Sequence, residues 1–228
     1  MTAPFYVAPE QMMKDRADYA RKGIARGRSL IATTYADGIL LCAENPSRML
    51  RKISEIYDRI AFAGVGKYNE FDQLRIAGVR HADLKGYSFS REDVDARSLA
   101  NQYAQMLGQI FTNEMKPMEV DILVAEVGAS IQDNQLFHIQ YDGTLRDENS
   151  FTVLGGDADA IAERVRSSWS DKMDIGEALR CCVTALAGPE RTLTAEEVEV
   201  AVLDRTRPRR CFARVDPTEV SELLAAQT

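Results

Sequence analysis

The sequence predicts an α+β fold, namely a four-layer α-β-β-α sandwich of two antiparallel sheets with an extra N-terminal helix. Predicted strands occur in groups joined by short polar turns, which is typical of antiparallel sheets. Pairs of predicted helices separate these groups, so each pair can cover the outer face of one sheet. No linker rich in Gly, Ser or Pro interrupts the 228 residues, which indicates a single domain.

The first predicted element is a helix over residues 9–26. Pro9 suits the first turn of a helix, and Glu10 complements the positive end of the helix dipole. Six basic residues against two acidic ones give residues 14–28 a local charge of +4, whereas the whole chain carries −7. Positive charge is therefore concentrated in the N-terminal helix.

Two hairpins are predicted after this helix. From Arg28 onward the apolar pattern changes from helical to strand-like, and Asp37-Gly38 forms the first turn. A polar turn at residues 57–59 lies between β-branched and aromatic residues and forms the second. The four strands cover residues 29–35, 39–43, 52–56 and 60–64.

The rest of the chain alternates between helical and strand-like periodicity. Leu99, Tyr103 and Leu107 lie on one helical stripe, whereas residues 197–203 alternate as in a strand. We predict two helices at residues 66–82 and 94–113, three strands at 120–127, 135–141 and 151–154, two helices at 157–169 and 175–187, two strands at 197–203 and 210–215, and a last helix at 217–226.

Composition and charge exclude several classes of function. A net charge of −7 does not favour binding to a polyanion, so we expect no nucleic acid partner. No apolar run approaches the roughly 20 residues of a membrane span, and no secretory signal begins the chain, so we expect a cytoplasmic protein without a membrane partner. The four cysteines lack CxxC spacing and the only histidines are His81 and His138, so we expect no metal site and no cofactor.

Lys52 is the residue with the most distinctive chemical setting. In a layered fold of this kind, a lysine at the start of a strand can tune an N-terminal Thr, Ser or Cys whose own amine is the base. Thr2 would become the N-terminus if Met1 were removed. The first strand begins only near Arg28, however, so a hydroxyl at Thr2 has no fixed relation to Lys52.

Several segments resemble the alpha subunit of the proteasome core particle, most closely the actinobacterial type. The resemblance extends over about residues 9–215. It is carried by Arg16-Ala-Asp-Tyr-Ala-Arg-Lys-Gly-Ile-Ala-Arg-Gly, Ala43-Glu-Asn-Pro-Ser-Arg, Arg51-Lys-Ile-Ser-Glu-Ile-Tyr-Asp-Arg, Gly66-Lys-Tyr-Asn-Glu-Phe, Tyr141-Asp-Gly-Thr, Leu154-Gly-Gly and Glu199-Val-Ala-Val-Leu-Asp-Arg.

The resemblance implies the N-terminal nucleophile hydrolase fold and a place in a larger particle. Alpha subunits of this family form homo-heptameric rings that cap rings of catalytic beta subunits and act on unfolded protein substrates, here expected to be tagged by a small protein modifier. The position that matches the catalytic Thr of beta subunits lies near Gly27 or Arg28. The resemblance therefore implies no catalytic residue in this chain and no peptide hydrolysis by it.

The resemblance also implies a gate and a docking site. Lys52, with Gly64 and Val65, matches the pocket that binds the C-terminal carboxylate of a hexameric ring ATPase activator. A flexible gate segment over residues 1–8 would precede a single domain over residues 9–228. The gate residues are Met1, Thr2, Ala3, Pro4, Phe5, Tyr6, Val7 and Ala8.

Arg21 and Lys22, in the basic helix, are the residues that we expect to contribute to ring assembly. Gln11-Met-Met-Lys replaces the Gly-Arg-Leu pattern that eukaryotic and archaeal relatives have before the first helix. Two alternatives stay open: a self-processing N-terminal nucleophile hydrolase, and a nucleic-acid binder that uses the basic helix, which the net charge disfavours.

Overall fold

Two five-stranded antiparallel sheets stack face to face at the centre of the protein. The computed structural model describes residues 8–47 and 49–226. In order of pairing, the first sheet contains β10 (Phe212–Val215), β9 (Val198–Asp204), β2 (Gly38–Glu44), β1 (Leu30–Tyr35) and β8 (Phe151–Leu154). The second contains β3 (Ile53–Tyr57), β4 (Ile60–Gly66), β5 (Val120–Glu126), β6 (Gln135–Ile139) and β7 (Leu145–Glu148).

Helices cover the outer face of each sheet. The helices are α1 (Pro9–Ala25), α2 (Tyr68–Ser88), α3 (Ala96–Asn113), α4 (Ala158–Ser168), α5 (Ile175–Ala187) and α6 (Pro217–Ala225). One apolar cluster lies between the sheets, a second lies under α4 and α5, and a third lies under α2 and α3. The predicted four-layer α-β-β-α sandwich is therefore confirmed.

The strands of both sheets are buried on both faces in most places, because each sheet lies between its partner sheet and a helical layer. β1 and β2 form the predicted hairpin, in which Tyr35 pairs with Gly38 across a short turn. A side chain at Gly38 would place its Cβ 1.8 Å from the Leu203 carbonyl oxygen on β9. Glycine is required at this position because β2 and β9 approach closely there.

The extra N-terminal helix lies at one end of the sandwich. Pro9 occupies its first turn, as predicted. Its buried residues, Ala20 and Ile24, belong to the apolar cluster between the sheets, and the helix packs against β4 and β5. α1 therefore closes the open end of the inter-sheet core, immediately before the chain enters β1.

Two predicted elements differ from the structure. The third group of strands contains four strands instead of the three predicted, because β7 (Leu145–Glu148) pairs with β6 at the edge of the second sheet. α2 continues to Ser88 instead of ending at residue 82. The other predicted helices and strands are present, with ends that differ by a few residues.

None of the helices within the described residues is long and apolar enough to cross a membrane. The same residues contain no group of three or more His, Cys, Asp or Glu side chains that could hold a metal ion. All four cysteines are free and buried.

Candidate functional site

Lys52 lies at the junction between the N-terminal helix and the two sheets. It immediately precedes β3, and its Nζ donates a hydrogen bond to the Arg28 carbonyl oxygen at a distance of 2.5 Å. Arg28 lies between α1 and β1. The lysine amine is therefore attached to the backbone at the point where the first strand begins.

Burial and neighbouring charges act in opposite directions on this amine. Burial lowers the pKa of Lys52 to about 8, because removal from water disfavours the charged form. The carboxylates of Glu199 and Glu44 oppose this effect, whereas the Arg28 guanidinium adds to it. Near neutral pH the site therefore presents a mostly protonated amine that a small change in its surroundings could discharge.

Glu44, at the end of β2, binds two arginines. It accepts hydrogen bonds from Arg28 and from Arg191, whose Nη1 and Nη2 lie 3.1 and 3.2 Å from its two carboxylate oxygens. Burial alone would raise the pKa of Glu44, but these two guanidinium groups outweigh burial and lower it. Glu44 thus stays ionised and holds the Arg28 side chain near Lys52.

Glu199, on β9, supports the same region from inside the protein. Its side chain is only 2% exposed. Its carboxylate accepts hydrogen bonds from Asn45 Nδ2 at 2.7 Å, from the Lys52 backbone N–H at 2.9 Å and from Arg214 Nη1 at 2.8 Å. This buried carboxylate therefore connects the first sheet to the segment that carries Lys52.

The lysine amine lies beside an uninterrupted stretch of backbone. The chain is continuous through Gly27, Arg28 and Ser29, so the backbone at this point has no free amine to act as a base. Lys52 Nζ donates to a peptide carbonyl instead of a hydroxyl. Thr2 lies outside the described residues, and α1 follows it before the first strand begins.

Comparison with known protein families decides the relationship. The sequence model of the family described as proteasome subunit matches residues 24–203. The chain belongs to the proteasome subunit family. Over 227 residues it is 62% identical to a protein of Acidimicrobium ferrooxidans named proteasome subunit alpha, covering 100% of this chain and 98% of that relative.

Other relatives place the chain among the alpha subunits of this family. Proteins named proteasome subunit alpha are 57% identical in Sanguibacter keddieii, over 99% of this chain and 91% of the relative, and 54% identical in Kineococcus radiotolerans, over 99% of both chains. The chain is thus an alpha-type proteasome subunit of the actinobacterial kind, as its sequence predicts, and its role is in the core particle. Membership implies assembly with other proteasome subunits in a ring.

The other two predicted docking residues of this alpha-type subunit are buried. The Gly64 backbone N–H donates to the Lys52 carbonyl oxygen at 3.1 Å, and Val65 lies in the core between the sheets. A Cβ on Gly64 would lie 2.8 Å from Phe71 Cγ. Within the single subunit, both residues therefore fix the position of β4 beside Lys52 and offer little side-chain surface to a partner.

Of the predicted gate residues, the structure of the subunit describes only Ala8, and residues 1–7 lie outside the described part of the chain. Ala8 is exposed and precedes α1, and its carbonyl oxygen accepts a hydrogen bond from the Met12 N–H at 3.0 Å. The predicted gate segment is thus joined directly to the first turn of the N-terminal helix.

The two predicted assembly residues lie on the solvent side of α1. The Arg21 side chain is 66% exposed, lies 3.5 Å from the Asp18 carboxylate and is close to the face of the Tyr141 ring. Lys22 is exposed in the last turn of the helix, where a positive charge complements the helix dipole. Both cations are accessible to a neighbouring molecule.

Sequence reasoning missed the two carboxylates that surround Lys52. Glu199 alternates with Val198 and Val200, whose side chains lie under the helical layer, so its own side chain points toward the space between the sheets. Burying an acidic side chain on that face of a strand costs free energy unless the carboxylate is paired. The acidic residue in an otherwise apolar strand could therefore have indicated a buried, paired carboxylate. Glu44 showed no comparable signal, because it ends its strand.

Proposed function

We propose that this subunit is a non-catalytic alpha subunit that forms heptameric outer rings of the proteasome core particle. In this role it restricts substrate access to the chamber of proteolytic beta subunits and docks a hexameric ring ATPase. The protein then takes part in ATP-dependent degradation of unfolded, tagged proteins in the cytoplasm.

The contact between Lys52 and Arg28 carries the proposal. In a catalytic relative, a nucleophile with a free amine would begin the first strand, whereas here the lysine amine is bonded to a peptide carbonyl and the chain continues into α1. A lysine in this setting retains the ability to attract an anion. A partly desolvated ammonium group is well suited to bind a single carboxylate such as the C-terminus of an activator.

Replacement of Lys52 tests the docking role. We expect Lys52→Ala, in particles assembled with beta subunits, to reduce stimulation by the ring ATPase at least tenfold, because the activator's carboxylate loses its cation. The measurement is the ratio of ATPase-stimulated to unstimulated degradation by the same particle. Lys172→Ala, which removes an exposed lysine between α4 and α5, is the matched control and should keep the wild-type ratio.

The same preparation tests whether the chain is catalytic. We expect the intact mass of the assembled subunit to show no cleavage near Arg28. A processed chain that begins near Arg28 would support the self-processing hydrolase instead.

For the docking test, a wild-type ratio of ATPase-stimulated to unstimulated degradation in Lys52→Ala would remove the docking role.

A further inference from the structure

The Glu199 carboxylate makes hydrogen bonds with several separate parts of the chain. Besides the side chains of Asn45 and Arg214, it accepts from two consecutive backbone N–H groups, those of Lys52 at 2.9 Å and Ile53 at 3.3 Å. Arg214 Nη2 in turn donates to the Ile53 carbonyl oxygen at 2.6 Å. Both oxygens of a buried carboxylate are therefore occupied by groups that fix the backbone at Lys52.

These contacts join the two sheets at one point. Glu199 is on β9 of the first sheet, whereas Ile53 begins β3 at the edge of the second, and the two strands are in contact there. Asn45 extends the arrangement, because its Nδ2 also donates to the Leu50 carbonyl oxygen at 2.8 Å. The segment between β2 and β3, which leads into Lys52, is thus held at both ends by groups bound to Glu199.

The Glu199 carboxylate also acts electrostatically on the Lys52 amine. The charged groups that act on Lys52 are Glu199 from β9, Glu44 from β2 and Arg28 from the connection between α1 and β1. Glu44 also binds Arg28 and Arg191, which offset its charge, whereas Glu199 binds one arginine, Arg214. After burial, Glu199 has the largest influence on the amine and favours its protonated form.

We propose that Glu199 is a positioning residue for the docking site, because it fixes the backbone that carries Lys52. This inference rests on the proposed function, because it assigns a role relative to the carboxylate that Lys52 would bind. The pH dependence of docking comes from the Lys52 amine, and Glu199 modulates it without binding the activator itself.

The pKa of the Lys52 amine sets the direction in which docking depends on pH. The pKa of Lys52 is about 8, so binding of a carboxylate should weaken as the pH rises through that value. Removal of the Glu199 charge should lower the pKa further, since one favourable interaction with the ammonium group is lost. The loss of binding on the alkaline side should then begin about one pH unit lower in Glu199→Gln.

The test uses the assembled particle and a defined probe. The probe is a fluorescent peptide with the last ten residues of the organism's own ring ATPase and a free C-terminal carboxylate, and its amidated form is the blank. Binding is measured by fluorescence anisotropy between pH 6.5 and 9. We expect Glu199→Gln to move the midpoint by about one unit toward acid and to weaken binding at pH 7.5 about threefold through loss of charge on Lys52.

Three variants separate the possible outcomes. Glu163→Gln, at an exposed glutamate of α4, should leave both affinity and midpoint unchanged. Lys52→Arg should bind without a midpoint in this range, because arginine stays charged. Glu199→Asp keeps the charge but is too short to reach every donor, so it should weaken binding and keep the wild-type midpoint.

An unchanged midpoint in Glu199→Gln would overturn the inference. If that variant does not assemble, Glu199→Asp decides, and wild-type affinity in that variant would overturn the positioning role. If Lys52→Ala binds the probe as wild type does, the proposed function fails instead, and the two failures are thus distinguishable.

Discussion

Gly78 and Tyr103 show how closely single residues are packed in the outer helical layer. Tyr103, on α3, is buried, and its hydroxyl donates to the Leu74 carbonyl oxygen of α2 at 2.8 Å. A Cβ on Gly78, one helical turn later, would lie 1.9 Å from that hydroxyl oxygen. The glycine therefore lets the two helices approach, although glycine weakens an isolated helix by about 1 kcal/mol relative to alanine.

We expect Gly78→Ala to destabilise the subunit by about 1–3 kcal/mol, because overpacking outweighs the gain in helix propensity. Tyr103→Phe in the same chain should recover part of this loss, since it removes the oxygen that the new methyl group meets. The thermal unfolding midpoint of the assembled particle measures both effects. Gly108→Ala on α3 is the control, because its Cβ would have no neighbour closer than 3.6 Å, and a similar loss there would contradict the explanation.

His138 illustrates what the sequence could and could not show about a single residue. It lies between the apolar residues Phe137 and Ile139, and the structure places it in the interior with Nε2 2.5 Å from the Asp121 carboxylate. Its partner is on the neighbouring strand β5, 17 residues earlier. Alternation along one strand indicates burial, but it cannot identify the residue across the sheet.

At the scale of elements, the sequence predicted those whose apolar residues face a core. β7 was missed because it lies at a sheet edge and three of its four residues are charged, as edge strands often are. The end of α2 was missed because Leu84 and Tyr87 are exposed and do not continue the apolar stripe. This last turn is held by tertiary contacts, including the Lys85 salt bridge to Asp95 at 2.7 Å, which no local pattern reveals.

The N-terminal helix joins the predicted gate segment to the core of the subunit. α1 is anchored through Ala20 and Ile24 in the core between the sheets, and Ala8 leads directly into its first turn. A segment that precedes an anchored helix starts from the same place in every copy of a ring. This common starting point would suit the gate role proposed for residues 1–8.

We expect deletion of residues 1–8 to raise the rate of small-peptide hydrolysis by the assembled particle several-fold, because access to the chamber is no longer restricted. The measurement is cleavage of a fluorogenic peptide without any activator. Deletion of residues 227–228 at the other terminus is the control and should leave the rate unchanged. An unaltered rate after the N-terminal deletion would remove the gate role of these residues.

At the scale of the whole molecule, the proposed docking site depends on contacts between distant parts of the sequence. The residues that hold Lys52 lie 24 positions before it, at Arg28, and 147 positions after it, at Glu199. The resemblance to a known family was sufficient to single out Lys52. Its partners could not be predicted, because they follow from the stacking of the two sheets and from the position of α1.

The distribution of charge suggests how copies of the subunit meet. Residues 14–28 carry +4 in a chain of −7, so the rest of the molecule is correspondingly more acidic. A closed ring joins one surface of each copy to a different surface of the next, and opposite charges on those surfaces would favour this arrangement. Arg21 and Lys22, which are exposed on α1, can supply the positive side.

We therefore expect the double variant Arg21→Glu and Lys22→Glu to weaken ring assembly, because repulsion would replace attraction at every subunit contact. Native mass spectrometry after co-expression with beta subunits would show fewer complete particles and more free subunits. Raised ionic strength should reduce the defect, since salt screens exposed charges. The matched control, Arg166→Glu with Lys172→Glu in the outer layer of α4 and α5, changes the net charge equally and should assemble normally, whereas equal assembly of both variants would exclude Arg21 and Lys22 from the ring contact.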